Sequence, residues 1–172
     1  MGSGRDDAGA EHGLEMGRLI LPGDDLGLNA DETGRLEEPV EFGATLAREH
    51  GFANLEYRLG DIEDPPITPG SVDLALFSQA LHHANNPARA LAAAYRLLKP
   101  GGRVAVLDLL AHQFEQAREL YADTWLGFSE AELHRMLEAA GFAGIEVQVV
   151  AREDEPPHFQ TMFGTGIVPA KP

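Results

Sequence analysis

The 172-residue sequence contains no cysteine, which excludes disulfide bonds, thiolate metal ligands and cysteine nucleophiles. No apolar run approaches the roughly 20 residues of a membrane-spanning helix, and no secretory signal is visible. Only 13 Lys and Arg residues oppose 28 Asp and Glu residues, so the formal net charge is −15. Because nucleic-acid binding needs clustered Lys and Arg, and no basic run exists, direct binding to DNA or RNA is not expected. These absences favour a cytoplasmic protein that acts away from membranes.

The length is sufficient for one domain with a sizeable core. Residues 1–39 differ from the rest, because they hold eight of the 19 glycines and show no sustained hydrophobic periodicity. Within them only residues 18–21 look like a strand. This composition is typical of a loop or a disordered tail. We therefore expect an atypical N-terminal segment at 1–39 and an α/β domain at 40–172.

Short apolar runs alternate with helix-like stretches from residue 54 onward. Strands are predicted at residues 55–59, 72–77 and 104–107, with a helix at 87–98 between the last two. This alternation predicts a Rossmann-like, mostly parallel sheet with helices on both faces. Because residues 72–77 are nearly all apolar, they are expected to form a central strand that is buried on both faces.

The flanking elements follow from capping and periodicity. Asn86 and Pro87 suit the start of one helix, and Ser129 with Glu132 forms a capping-box pattern at the start of another. The remaining predicted elements are helices at 40–50 and 112–121 and a terminal antiparallel pair of strands at 145–150 and 159–168.

Three runs in this region, GDIEDPPI, VDLALFSQALHH and LLKPGGRVAVLDL, resemble class I S-adenosylmethionine-dependent methyltransferases. The resemblance is to the small-molecule branch that includes quinone-biosynthesis enzymes. The later run TWLGFSEAELHRMLEAAGF is similar to a sub-branch found with arsenic-repressor-type regulators. The resemblance covers about residues 40–168 and implies methyl transfer from S-adenosylmethionine to a small-molecule acceptor. The family's Asp-x-Gly-x-Gly-x-Gly loop and its ribose-binding acid are not legible, so the N-terminal strands are expected to be atypical or incomplete.

The resemblance assigns cofactor-binding roles to residues that follow two strands. Asp61 would accept a hydrogen bond from the adenine amino group, and the backbone N–H of Ile62 would meet a ring nitrogen. Ser78 and Gln79 would border the methionine part, with Leu81 beside them. The alternative for Asp61 is a solvated turn acid, because more acids and two prolines follow it.

His82 and His83 would lie where the methyl acceptor enters, and a neutral imidazole there can take a proton from an acceptor hydroxyl. Alternatively, one of the two histidines caps the next helix or packs on it, and many such enzymes act by proximity and orientation alone. No metal is expected, because no further ligand has suitable spacing. Asp108 is either an acceptor-site residue or a cap, while Trp125 and Phe128 line a lid or belong to the core.

Loss of the family's first strand would expose an apolar edge beside Leu74, and the outcome would be either an unstable fragment or a homodimer that covers the edge. The lack of cysteine counts against arsenic methylation, which depends on thiolates in the enzymes that this sequence resembles. The rival function is a non-catalytic remnant of a methyltransferase-fused transcriptional regulator that acts as a ligand-sensing or dimerising module. A dehydrogenase is a weaker alternative, because no Gly-x-Gly-x-x-Gly follows a strand.

Overall fold

A computed structural model describes residues 19–22 and 38–170 of the chain. The described residues form six strands, four α-helices and one 3-10 turn. In chain order these are β1 (Leu19–Pro22), α1 (Glu38–Glu49), β2 (Tyr57–Gly60), β3 (Val72–Ser78), the 3-10 turn (Leu81–His83), α2 (Pro87–Leu97), β4 (Leu98–Leu109), α3 (Ala117–Leu120), α4 (Glu130–Ala140), β5 (Ala143–Arg152) and β6 (Gln160–Ile167).

The strands form two sheets. In the smaller sheet β1 runs parallel to β2, with Leu19 opposite Tyr57. In the larger sheet the order is β3-β4-β6-β5, where β3 and β4 are parallel and β6 is antiparallel to both of its neighbours. The α/β class and the terminal antiparallel pair are thus confirmed. The strand expected near residues 18–21 is present as β1, but most of the segment 1–39 lies outside the described residues.

The two long helices beside the larger sheet begin as their sequences predict. The Asn86 side chain accepts a hydrogen bond from the backbone N–H of Arg89, and Pro87 occupies the first turn of α2. Ser129 and Glu132 form a reciprocal capping box at the start of α4, which satisfies two of the helix's unpaired N–H groups. Helix α4 ends at Gly141 with φ +105°, a conformation that favours glycine.

One face of the larger sheet carries the core. Helices α2 and α4 pack against this face, and the fully buried side chains include Leu91, Leu133, Val104 and Val106. Burial of each such aliphatic side chain contributes about 1.5–3 kcal/mol. Gly164 allows α4 to approach β6, since a Cβ there would lie 2.6 Å from Leu133 Cδ2.

The prediction of a doubly buried central strand at 72–77 is wrong for the described part of the chain. Strand β3 lies at the edge of the larger sheet, and Leu74 and Leu76 are 58% and 53% exposed. Because side chains alternate along a strand, Phe77 points into the core while these two leucines lie on the face that α2 and α4 do not cover. An exposed apolar edge at Leu74 is therefore confirmed.

The helix predicted at 112–121 is also mostly wrong, because only Ala117–Leu120 is helical. The preceding residues are held by other bonds: the His112 backbone N–H donates to Leu126 O, and its ring accepts from the Phe114 N–H. Among the described ranges, no helix combines the length and the apolar character that crossing a bilayer would require.

Candidate functional site

Polar residues follow β2 and β3 directly, and a buried glutamate fixes the turn after β2. Asp61 follows β2, and Ser78 ends β3. The Glu63 carboxylate accepts a 2.6 Å hydrogen bond from the backbone N–H of Asn86 and lies 3.4 Å from the Arg89 guanidinium. The turn after β2 is thereby fixed beside the start of α2. Sequence reasoning assigned no role to Glu63 and missed this one.

Asp61 itself is exposed and sits in a short turn. Its Oδ1 accepts a 2.8 Å hydrogen bond from the backbone N–H of Glu63. Ile62 is half-buried and packs against the core cluster. The turn therefore holds an acceptor carboxylate at the end of β2, with the backbone of Ile62 directly beside it.

The exit from β3 has an unusual backbone. Ser78 and Gln79 are both exposed, and Gln79 has φ +52° while its N–H donates to Leu107 O at 2.8 Å. A left-handed conformation at a residue other than glycine costs about 1–2 kcal/mol, and such residues cluster at ligand-binding positions. Leu81 is different, because its side chain is fully buried and its N–H donates to Asp108 Oδ2 at 2.9 Å. Leu81 anchors the segment that carries Ser78 and Gln79.

His82 lies between two buried carboxylates. Its Nδ1 is 2.8 Å from Asp108 Oδ1, and its Nε2 is 3.6 Å from Asp123 Oδ1. Asp108 is fully buried, while His82 and Asp123 are each 4% exposed. Sequence reasoning missed Asp123, which lies 41 residues after His82 in a stretch without periodicity.

His83 is half-buried and is the more accessible of the two histidines. Its ring centroid is 4.0 Å from that of His82, and its Nδ1 lies 3.4 Å from Ala122 O. Trp125 is hydrogen-bonded to the same turn. Its backbone N–H donates to His82 O and its indole N–H donates to Ala84 O, both at 2.9 Å.

The aromatic pair of this segment is divided between surface and interior. Trp125 is 43% exposed, whereas Phe128 is buried in the core cluster. Of the two alternatives, a lid or the core, Phe128 therefore belongs to the core, and the partly exposed Trp125 fits a lid position.

His112 adds a further imidazole that sequence reasoning did not single out. Burial lowers the pKa of His112, while the Asp123 carboxylate raises it and His82 lowers it. Its Nδ1 accepts a hydrogen bond from the Phe114 N–H, so the neutral ring carries its proton on Nε2. That Nε2 is buried without a hydrogen-bond partner.

Residues 36–106 match the family model described as a methyltransferase domain. An uncharacterized 37.1 kDa protein in transposon Tn4556 of Streptomyces fradiae is 37% identical over 105 residues, covering 56% of this chain and 29% of that protein. The arsenite methyltransferase of Halobacterium salinarum is 31% identical over 112 residues, covering 62% and 28%. The chain thus spans less than a third of the length of either relative.

The fold agrees with these sequence matches. The YcgJ protein from Bacillus subtilis is 15% identical, with a TM-score of 0.62 over 92% of this chain and 94% of that one. The described residues therefore have a Rossmann-like fold, with polar residues at the strand ends where such folds bind ligands. The matched sequence and the fold are similar to those of class I S-adenosylmethionine-dependent methyltransferases, and one of the matched relatives is an arsenite methyltransferase.

S-adenosylmethionine is the cofactor that this family implies. The described residues fit two of its parts: Asp61 offers an exposed acceptor for an adenine edge, and exposed Ser78 and Gln79 offer polar groups for an amino-acid end. A methyltransferase acceptor can be a small molecule or a macromolecule. The matches do not favour the regulator-remnant alternative.

Proposed function

We propose that this chain transfers a methyl group from S-adenosylmethionine to a small-molecule acceptor. The observation that carries the proposal is the pair of exposed polar turns at the ends of β2 and β3, the first of which is fixed beside the start of α2 by the buried carboxylate of Glu63. Such strand ends are where open α/β sheets bind nucleotides. The family match over residues 36–106 covers both turns.

Each predicted cofactor residue has a role that its position supports. Asp61 accepts a hydrogen bond from the adenine amino group, and the Ile62 N–H binds a ring nitrogen. Ser78 and Gln79 contact the methionine part, and the left-handed backbone of Gln79 lies at this position. Leu81 acts from the core by holding this segment in place.

The two histidines divide the work on the acceptor side. Bound S-adenosylmethionine supplies an electrophilic methyl group, so the chain mainly aligns the acceptor with it. His83, which is half-buried, takes the proton that an acceptor hydroxyl releases. His82, enclosed by Asp108 and Asp123, orients the turn that carries His83.

The composition supports a small acceptor other than nucleic acid or arsenite. A net charge of −15 opposes phosphate backbones. The sequence has no cysteine to supply thiolates for arsenic chemistry. We further propose a homodimer in which the partner covers Leu74 and Leu76, because large exposed leucines side by side on a sheet face favour association.

Calorimetric titration of the full chain with S-adenosylhomocysteine tests the proposal. We expect micromolar binding that weakens roughly ten- to a hundredfold in Asp61→Ala, the loss expected for a hydrogen bond to a charged acceptor. Asp73→Ala is the matched control, because Asp73 is an exposed aspartate near the amino end of β3, whereas the proposed site lies at the carboxyl ends of the strands. Circular dichroism must show that each variant is folded. No binding by the folded chain, or equal binding by both variants, would contradict the proposal.

A further inference from the structure

A cluster of three side chains at the acceptor side has the composition of a metal site. His82, His83 and Asp123 each offer one ligand atom, and these atoms all lie within 4.8 Å of one another. We propose that this cluster binds one divalent transition-metal ion of the zinc type through two imidazoles and one carboxylate. Metal binding itself does not depend on the proposed methyl transfer.

The spacing inside the cluster favours a shared ion over a direct bond. His82 Nε2 and Asp123 Oδ1 are 3.6 Å apart, which is too long for a hydrogen bond. Tetrahedral zinc with bonds of about 2.0–2.2 Å holds its nitrogen and oxygen ligand atoms roughly 3.4 Å apart. The observed separation is therefore close to that of two atoms bound to the same ion.

Asp108 prepares His82 as a ligand. His82 Nδ1–H donates to Asp108 Oδ1 at 2.8 Å, which leaves the lone pair on Nε2, the nitrogen nearest Asp123. Asp108 is held in turn by the backbone N–H groups of Leu81 and Leu109. A carboxylate that orients a histidine in this way is the usual partner of a metal-bound imidazole.

Asp123 supplies an independent indication of a missing partner. It is 4% exposed, and its Oδ2 is buried without any hydrogen-bond partner. A buried carboxylate oxygen that lacks a partner is unfavourable, and a cation bound at Asp123 would compensate its charge. Two nitrogen donors and one oxygen donor suit zinc and its neighbours, whereas magnesium and calcium prefer sites made of oxygen.

The competing interpretation is an ion pair without metal, in which a protonated His82 bridges Asp108 and Asp123. That arrangement does not bring His82 Nε2 and Asp123 Oδ1 within hydrogen-bond distance, since the two atoms are 3.6 Å apart. If the ion is bound, three protein ligands leave one position open for water or for an oxygen of a ligand. His83 would then bind the ion instead of accepting a proton, a consequence that rests on the proposed function.

Cobalt and zinc titrations of the chelator-treated full chain test the inference. We expect one equivalent of Co²⁺ to give the intense visible absorption of a tetrahedral site and Zn²⁺ to displace it. Asp123→Asn should weaken Zn²⁺ binding by at least a hundredfold. Asp108→Asn, which keeps the three ligand side chains but replaces the carboxylate that orients His82, should weaken it about 10–100-fold with the stoichiometry unchanged in the folded variant.

His134→Gln is the matched control, because His134 is an exposed histidine on α4. His83→Gln serves as a second ligand variant if Asp123→Asn does not fold. The inference is overturned if the unsubstituted chain binds no metal, or if the folded ligand variants bind as tightly as His134→Gln. Metal binding without S-adenosylhomocysteine binding would contradict the proposed function and leave the metal site standing.

Discussion

Replacement of Asp108 should destabilise the chain more than any surface substitution, because one buried carboxylate serves three donors. Its Oδ2 accepts from the Leu81 N–H at 2.9 Å, while Oδ1 accepts from the Leu109 N–H at 2.7 Å and from His82 Nδ1 at 2.8 Å. In Asp108→Ala all three donors lose this acceptor in a fully buried place. Because this carboxylate connects the end of β4 to the turn after β3, the substitution would also loosen the position of these two strand ends relative to each other.

The magnitude follows from the burial. Each buried donor left unsatisfied costs about 1–3 kcal/mol, and breaking a buried charged pair costs about 3–5 kcal/mol. We expect Asp108→Ala to lower the free energy of unfolding by about 3–5 kcal/mol, a large share of the roughly 5–15 kcal/mol of a typical domain. Asp108→Asn keeps one acceptor oxygen, so about half of this loss is expected.

Urea unfolding followed by tryptophan fluorescence measures the loss. Trp125 is the single tryptophan, and its indole N–H bonds to Ala84 O in the segment that Asp108 fixes. With a slope of about 2 kcal/mol per molar urea, Asp108→Asn should unfold at a midpoint about 1 M lower. Asp73→Asn is the control, because Asp73 forms an exposed ion pair with Lys99, and such pairs contribute less than about 1 kcal/mol. Equal midpoints for Asp108→Asn and Asp73→Asn would refute the reasoning.

Three further outcomes are expected. Ser129→Ala should cost about 1 kcal/mol at neutral pH. Hydrogen bonds from the Ser129 hydroxyl and backbone N–H lower the pKa of Glu132 below 4.5. The stabilisation is therefore complete above pH 4.5 and is lost as the pH falls through the lower pKa of the folded state. A difference in urea midpoint between Ser129→Ala and the unsubstituted chain that does not change with pH would contradict this expectation. Gly127→Ala should destabilise by about 3 kcal/mol in the same assay, because φ is +75° and the new Cβ would lie 2.6 Å from Leu109 O; a loss no larger than that of an exposed substitution would count against it. Leu76→Lys should abolish self-association in light scattering while the melting temperature stays within a few degrees; a concentration-independent monomer for the unsubstituted chain would contradict the proposed homodimer.

The parts of the fold that sequence predicts well depend on neighbouring residues. The caps at Asn86 and Ser129 involve atoms three residues apart, so a short window contains the whole interaction. Asp61 and Ser78 could be selected as site residues because each follows an apolar run that reads as a strand. The general rule for strand ends then supplies their common location.

The parts that sequence did not predict depend on contacts between distant segments. Asp123 meets His82 through the packing of the 122–128 segment on the 3-10 turn, and no local pattern marks it. His112 was missed because a helix was expected there, whereas a backbone bond to Leu126 holds it in place. Leu74 was assigned to a buried strand because an apolar composition is the same whether or not a second layer covers the strand.

The order β3-β4-β6-β5 has a consequence for how the chain can be assembled during synthesis. The last strand inserts between two that emerge earlier, and its register places Ile167 opposite both Arg103 and Ala143. Until β6 has left the ribosome, β4 and β5 therefore each present an open edge to other chains. Contacts over such long separations also form slowly. A chain that ends before residue 160 would keep both edges open, so C-terminal truncation should yield aggregates instead of a smaller folded domain.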